Sequence, residues 1–455
     1  MGLKSIKDVE LLYPVEQIKA GGFEVWPIIR IEIGMQKNFS NTVKRKSKLS
    51  LIYNMFLSMF YGFFNWFGKY DYLVFTNDQQ RKKVDGVYYD KSAEYIAEKA
   101  GKSLFIEKQV IGHIKRENIA TKSIVSKSIL YPLITLYYKF LIKKPVIENE
   151  DILKKVLNEL NVNIDYKYFV NRVIAEYIVI RFLLRIYKPR MVFVVCSYTQ
   201  MGVLKACAEA GIKVVELQHG VISKAHFGYN TYNAFSRDYF PDYLITYGLN
   251  EKNVFEDNYF INQENVFPAG NLYLELLMKN YRPDARLEKI SENYKRVVAV
   301  SSQIAIEEKL INFLIESAKM DLDILYVFIP RYFNKEYVSV YKFPDNIIIV
   351  DWLNFYEITI QADLHSTVYS TTAIEALSLG TQNILINIDG KANEYFGEIL
   401  TDKAVTRLVE TPKEFVSSIN QFKLLDKTDV RKSNEKNIVP GYWQRVDELL
   451  PKIIN

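Results

Sequence analysis

Two cysteines, Cys196 and Cys207, are too few for a disulfide framework in a chain of 455 residues, and the four histidines form no zinc-type pairing of CxxC with HxxxH. That usage fits a reducing compartment. Glycine (19) and proline (13) are sparse, which together with 49% hydrophobic and 25% charged residues excludes collagen-like, low-complexity and wholly disordered classes. The opening residues MGLKSIKDVELLY lack the basic start and unbroken apolar stretch of a secretory signal, and Ile6 breaks the Met-Gly-x-x-x-Ser/Thr myristoylation pattern. The chain therefore reads as cytoplasmic. Its basic residues are scattered among apolar segments without a recognised nucleic-acid motif, so no nucleic-acid partner is expected.

What is present is length, aromatic content and an uneven charge. At roughly 100–200 residues per domain, two or three domains are expected. Residues 1–150 hold 24 Lys/Arg against 15 Asp/Glu, a net +9, whereas the remainder sums to −3. Such asymmetry points to an anionic partner for the N-terminal part: a membrane surface, a polyanionic glycan or nucleic acid. Leu49 to Gly68 is a run of 20 residues without a charge, preceded by Lys44, Arg45, Lys46 and Lys48. Asn54, Ser58, Gly62 and Asn65 recur at helical spacing opposite Ile52, Phe56, Met59, Phe60, Phe63 and Phe67, which makes the run amphipathic. Its three readings are a helix buried against its own domain, an interfacial helix with a basic approach, and a true span. Ile129 to Ile142 repeats the flavour, with Tyr131, Tyr137, Tyr138 and Phe140 edged by Lys127, Lys139, Lys143 and Lys144. Residues 44–68 and 127–144 together favour peripheral contact with an anionic membrane, at the inner face of the cell membrane.

From Tyr72-Leu-Val-Phe75 onward, short apolar runs alternate with helical patterns. Strands are expected at Met191–Val195, Lys213–Leu217 and Asp242–Thr246, with helices at Ser92–Ala100 and Met201–Ala210, and Val266 to Asn271 closes this half. A charged, helical link near Asp284–Lys295 opens a second alternation, with strands at Arg296–Val300, Ile324–Phe328, Ile347–Val350 and Asn383–Ile386. Helices are expected at Ile304–Met320, Ala373–Leu379 and from Gly441 onward. The pattern is that of right-handed parallel units, an α/β class of two doubly wound Rossmann-like domains. The boundaries drawn are 1–283, 284–437 and a terminal helix at 438–455.

Ligands of such sheets bind beyond the carboxyl ends of strands. Three places stand out there. In Glu216-Leu-Gln-His-Gly220, Gln218 and His219 follow a strand, and Gly220 suits a tight turn or close backbone approach. His219 is either a general base or phosphate partner, or a strand-end cap; His226 is a weaker candidate in the loop beyond. Residues 362–380 read as a polar loop, containing His365, that runs into a short helix ended by Gly380. Ser370, Thr371 and Thr372 group hydroxyls and free N–H groups at that helix start, a ready phosphate site, and Glu375 is placed to accept from a ribose diol. Thr372 and Glu375 also fit a capping box. Ser301-Ser302-Gln303 after the first strand of the second half, and Arg331 after the next, complete the donor-side set. Asp351, Asn354 and Tyr356 either approach a base or cap the helix that follows.

Gln218-His219-Gly220, Pro268-Ala-Gly-Asn271 and Ser370 to Gly380, in that order, resemble GT-B glycosyltransferases of bacterial capsule, lipopolysaccharide and teichoic acid synthesis, in particular Kdo-transferase-like and CDP-glycerol glycerophosphotransferase-like proteins. The resemblance covers about residues 190–400. It implies the GT-B fold, two Rossmann-like domains facing a cleft with the C-terminal helix crossing back. It also implies transfer of a sugar from a nucleotide-sugar donor to a glycan or lipid-linked acceptor, His219 as base, no cofactor beyond the donor, and no obligatory metal. Where many relatives show His-Pro, this chain has Ile329-Pro330-Arg331, which argues against a cytidine-monophosphate donor and leaves Arg331 as the cation there. A polyol-phosphate transferase, a nucleotide-sugar 2-epimerase and a non-catalytic membrane-docked assembly protein are the competing readings.

Overall fold

The computed structural model of the chain describes residues 5–39, 56–224, 226–331 and 340–454. The basic cluster 44–48 and all of the apolar run before Phe56, with Ile52 and Asn54, lie outside them. The chain divides into two compact units, one formed by Met1–Tyr247, Glu251–Tyr273 and Gly441–Asn455, the other by Gly248–Asn250 and Leu274–Pro440.

The first unit is built on seven strands: β1 (Tyr72–Asn77), β2 (Ser103–Lys108), β3 (Ile124–Ser126), β4 (Met191–Val195), β5 (Lys213–Leu217), β6 (Tyr243–Thr246) and β7 (Val266–Pro268). They pair in parallel in the order β7-β6-β5-β4-β1-β2-β3. Every residue of β4 is buried, as a central parallel strand covered on both faces requires. The chain winds outward from β1 to β3, then returns to β4 on the other side of β1, so the strand order reverses between β1 and β4.

The second unit repeats this plan with β8 (Arg296–Ser301), β9 (Ile324–Ile329), β10 (Ile347–Ile349), β11 (Leu364–Thr367), β12 (Gln382–Ile386) and β13 (Thr406–Val409). All are parallel, in the order β10-β9-β8-β11-β12-β13, with the reversal between β8 and β11. Strand β11 corrects the expectation of a polar loop over 362–371. Leu364, His365, Ser366 and Thr367 are all fully buried in mid-sheet, their polar atoms satisfied by neighbours, so composition concealed a strand.

The aromatic run also departs from the buried-helix reading. Its polar and small face turns inward onto β3: Asn65 donates to the Ile124 carbonyl (3.0 Å), Ser58 Oγ lies 2.7 Å from Ser126 Oγ, and Ser126 N–H donates to the Tyr61 carbonyl (3.1 Å). Gly62, at φ 68°, sits where a Cβ would fall 1.8 Å from the Ile124 carbonyl oxygen. The apolar face is left outward, with Phe56, Phe60, Phe64 and Phe67 exposed at 54, 58, 83 and 74%. Among the described residues no helix is long and apolar enough to cross a membrane.

Candidate functional site

In the second unit, the carboxyl ends of β8 and β11 flank the reversal point, where a doubly wound sheet leaves a crevice. A single chain of side chains ties them together. Asn383 on β12 donates Nδ2–H to the Ala373 carbonyl (2.7 Å), so its Oδ1 must accept, and it accepts from His365 Nδ1 at 2.8 Å. His365 Nε2 is then the acceptor for the Ser301 hydroxyl (2.9 Å), and Ser301 Oγ in turn accepts from Thr372 Oγ1 (2.8 Å). Burial pushes the His365 imidazole down to about 4, which keeps it neutral and the chain directional. Only the terminal proton, on Thr372, is free to be redirected to a ligand. His365 and Ser301 are thus placed behind Thr372 as its support.

Thr372 opens an eight-residue helix, Thr372–Leu379, whose N-cap is Thr371; Gly380 ends it at φ 87°. The expected capping box between Thr372 and Glu375 does not form. Ala373 N–H donates to the Ser370 carbonyl, Ile374 and Glu375 N–H to that of Thr371, and Glu375 accepts instead from the Tyr356 hydroxyl at 3.1 Å. Ser302 is buried and donates to Glu307 (2.8 Å), and Gln303 accepts from Tyr369 N–H (2.9 Å). Asn354 is the side-chain cap of helix Phe355–Gln361, and Tyr356 is drawn to Glu375. Arg331 is exposed. Thr371, Thr372 and Ser370 are half-buried at the helix start, where the dipole favours an anion.

In the first unit, β4 ends on Cys196 in the left-handed region (φ 67°), a conformation that a non-glycine residue adopts at a cost of about 1–2 kcal/mol. This turn delivers Ser197 to Glu216 on β5. The fully buried Glu216 accepts from Ser197 N–H (3.2 Å) and the Tyr229 hydroxyl (2.9 Å) through Oε1, and its Oε2 shares a hydrogen bond with Ser197 Oγ (2.5 Å). Desolvation pushes its carboxyl up to about 7 against these bonds. Tyr229, its proton given to Glu216, accepts from His219 Nδ1 at 3.4 Å, while the Tyr198 hydroxyl meets His219 Nε2 at 3.5 Å. The arrangement fixes the tautomer with Nε2 as the basic atom. Burial, followed by the proximity of His226 and Lys91, pushes His219 down to about 3, so it is a neutral imidazole whose Nε2 lone pair faces the Tyr198 hydroxyl.

The remaining candidates divide. Gln218 is buried and fully engaged within the protein, donating to the Gly220 carbonyl and Glu251 (both 2.9 Å) and accepting from Tyr247 N–H. Gly220 has no positive φ, and no protein atom lies within 4 Å of where its Cβ would be. His226 stacks on Phe227 at 5.3 Å and accepts from Gly228 N–H at 3.1 Å. Arg30 of the N-terminal helix Trp26–Phe39 donates to the Phe227 and Asn230 carbonyls and so fastens that loop. Sequence reasoning missed Glu216, Tyr229, Tyr198 and Asn383. The signal for Glu216 was available: a carboxylate interrupting the apolar strand Lys213–Leu217.

No family model matches the sequence, and no curated protein matches it. Among solved structures the chain is similar to CalG4, the calicheamicin glycosyltransferase, at 12% identity and a TM-score of 0.51, over 85% of this chain and 98% of that one. It is also similar to UDP-GlcNAc 2-epimerase of Methanocaldococcus jannaschii in complex with UDP-GlcNAc and UDP (13% identity, 84% and 99% covered, TM-score 0.47). A third is Arabidopsis thaliana UGT89C1 complexed with UDP (12% identity, 85% and 100% covered, TM-score 0.49). With two parallel-sheet α/β units and the likeness to CalG4, the chain has the GT-B fold.

Proposed function

We propose that the protein is a glycosyltransferase that moves a sugar from a nucleotide-activated donor to a glycan or lipid-linked acceptor in bacterial capsule or lipopolysaccharide synthesis. The observation that carries the reading is the directional chain Asn383–His365–Ser301–Thr372 at the reversal point of the second sheet, which delivers one redirectable hydroxyl proton at a helix start. As the glycosidic bond breaks, negative charge grows on the leaving phosphate, and Thr372, the dipole of the helix it opens and Arg331 stabilise it. Glu375 and Tyr356 suit the ribose end of the donor. His219 Nε2, held by Tyr229 through Nδ1, receives or orients the acceptor hydroxyl. No step is assigned to a metal.

A partner follows from the outward aromatic face. An amphipathic element that buries Ser58 and Gly62 and turns Asn65 inward while exposing Phe64 and Phe67 is inverted for a water-facing surface and suited to a bilayer interface. The basic residues of the sequence around 44–48 and 139–144 match an anionic lipid surface, so peripheral attachment to the inner face of the cell membrane is proposed. Likeness to an epimerase and to transferases leaves donor chemistry as the deciding measurement. In a thermal-shift screen against UDP, CDP, GDP, CMP and their sugar conjugates, one nucleotide family raises the unfolding temperature and Thr372→Val lowers its affinity. Absence of any shift in the folded protein would overturn the reading; a response restricted to CDP-polyols would convert it to polyol-phosphate transfer.

A further inference from the structure

A cavity of about 270 Å³ opens in the first unit at the carboxyl end of its sheet. Lys108, the last residue of β2, and Tyr198 to Met201, which follow β4, line it beside the reversal point of the strand order. Tyr198 is the wall shared with the base: it lines the cavity, and its hydroxyl meets His219 Nε2 at 3.5 Å.

The lining has two characters. One side is cationic, with Lys108, Lys127 and Arg172. Lys127 is committed inside the protein, to Glu176 (2.8 Å) and Gln200 (2.7 Å). Arg172 donates to the Tyr168 hydroxyl at 2.8 Å, and its other guanidinium N–H groups make no hydrogen bond among the described residues. Lys108 has no ion pair or hydrogen bond among the described residues, although Glu32 and Glu176 belong to the same cavity. Desolvation and the nearby Lys127 hold its ammonium below the ordinary lysine value, with Glu176 acting in the opposite sense, and Glu32 is the carboxylate that feels both Lys108 and Arg172. The other side is apolar, with Ile28, Ile31 and Met35 from helix Trp26–Phe39 facing Ile134. Ile134 sits on helix Leu130–Leu136, which also carries the exposed Leu133 and Leu136.

We propose that this cavity holds the acceptor and that the acceptor is an anionic amphiphile, its phosphate or carboxylate between Lys108 and Arg172 and its first apolar groups along Ile28, Ile31 and Ile134. The assignment deepens the transferase reading and rests on it for the word acceptor, but the binding site stands on its own lining.

Calorimetric titration with dodecyl phosphate below its micellar concentration tests it, with dodecyl maltoside and inorganic phosphate as single-feature probes. Dodecyl phosphate binds about tenfold or more tightly than either, and Lys108→Gln and Arg172→Gln each weaken it about tenfold, as loss of a charge-assisted contact requires. Equal binding of dodecyl maltoside, binding unchanged in both variants, or no binding of dodecyl phosphate overturns the proposal. Lys108 has no protein partner to lose, so its variant folds, which its unfolding temperature verifies. The same samples are titrated with UDP. A chain that binds dodecyl phosphate but no nucleotide refutes the transferase reading and leaves the site; one that binds nucleotide only does the reverse.

Discussion

A carboxyl group enclosed by a sheet must be ionised and paired or else protonated, and Glu216 has only neutral donors for partners. Pushed up to about 7, it holds a proton in the native state over a range where the unfolded chain has released one. Its contribution to stability is therefore complete below the ordinary carboxylate range, falls as pH rises to about 7, and is level beyond. His219, His226 and His365, pushed down to about 3, 4 and 4, act in the opposite sense and withdraw stability as pH falls below the ordinary histidine value. The two trends are separated by Glu216→Gln, because a glutamine reproduces the protonated acid: Oε1 accepts from Ser197 N–H and Tyr229, and Nε2 donates to Ser197 Oγ. Between pH 5 and 8 the stability of the variant relative to the native protein rises by on the order of 2 kcal/mol, read as a shift in urea midpoint. A pH-independent difference would mean that Glu216 is ionised throughout.

At the scale of elements, residues with period-two or continuous apolar runs declared themselves: β4 and β5 have the bounds expected, and β8, β9, β10 and β12 lie within a residue of theirs. Elements whose burial is polar did not. Strand β11 hides His365, Ser366 and Thr367 behind bonds to residues on β8 and β12, partners that no local window contains. The site followed the same division, since strand-end positions were legible while the supports Asn383, Glu216 and Tyr229 depend on strand order. Orientation of the aromatic run was equally hidden, because its periodicity defines two faces and not which one meets the protein. His113 decides it: Nδ1 lies 2.7 Å from Glu107 and Nε2 2.9 Å from both Ser58 and Ser126, with Tyr61 stacked at 4.2 Å. The buried polar network needs the Ser58 hydroxyl, so the phenylalanines turn outward. Phe64→Ser accordingly changes stability by no more than about 0.5 kcal/mol, whereas a core phenylalanine would cost about 3–5 kcal/mol. Gly62→Ala, by contrast, destabilises by at least about 2 kcal/mol through its positive φ and the clash with Ile124. Sedimentation with vesicles containing anionic lipid captures the native protein and loses the doubly substituted Phe64→Ser, Phe67→Ser chain. Equal recovery of both, or self-association reversed by the substitutions, would reassign the face.

Over the whole molecule, the chain leaves the second unit at Pro440 and its last residues, Gly441–Asn455, belong to the first. The pattern of Val446, Leu449 and Leu450 announces an amphipathic helix, but nothing within Tyr442–Ile454 names its destination. Contacts supply it: Tyr442, Val446, Leu449, Leu450 and Ile453 are buried, Tyr95 donates to Asp447 at 3.0 Å, and Lys99 pairs with the same carboxylate. The exposed ion pair adds little, about 0–1 kcal/mol. Apolar burial dominates, at about 1.5–3 kcal/mol for each large aliphatic side chain removed from water, so the helix as a whole is comparable to the net stability of a domain. A chain ending at Pro440 therefore leaves a first unit that unfolds at least about 10 °C lower or not cooperatively at all, measured by calorimetry, while a nucleotide still raises the transition of the second unit. Val446→Ala, a milder change at a fully buried position, lowers the same first-unit transition by about 1–3 kcal/mol and leaves nucleotide affinity intact. Were truncation to leave both transitions in place, the last helix would be a surface appendage, and the first unit would owe its stability to the sheet alone.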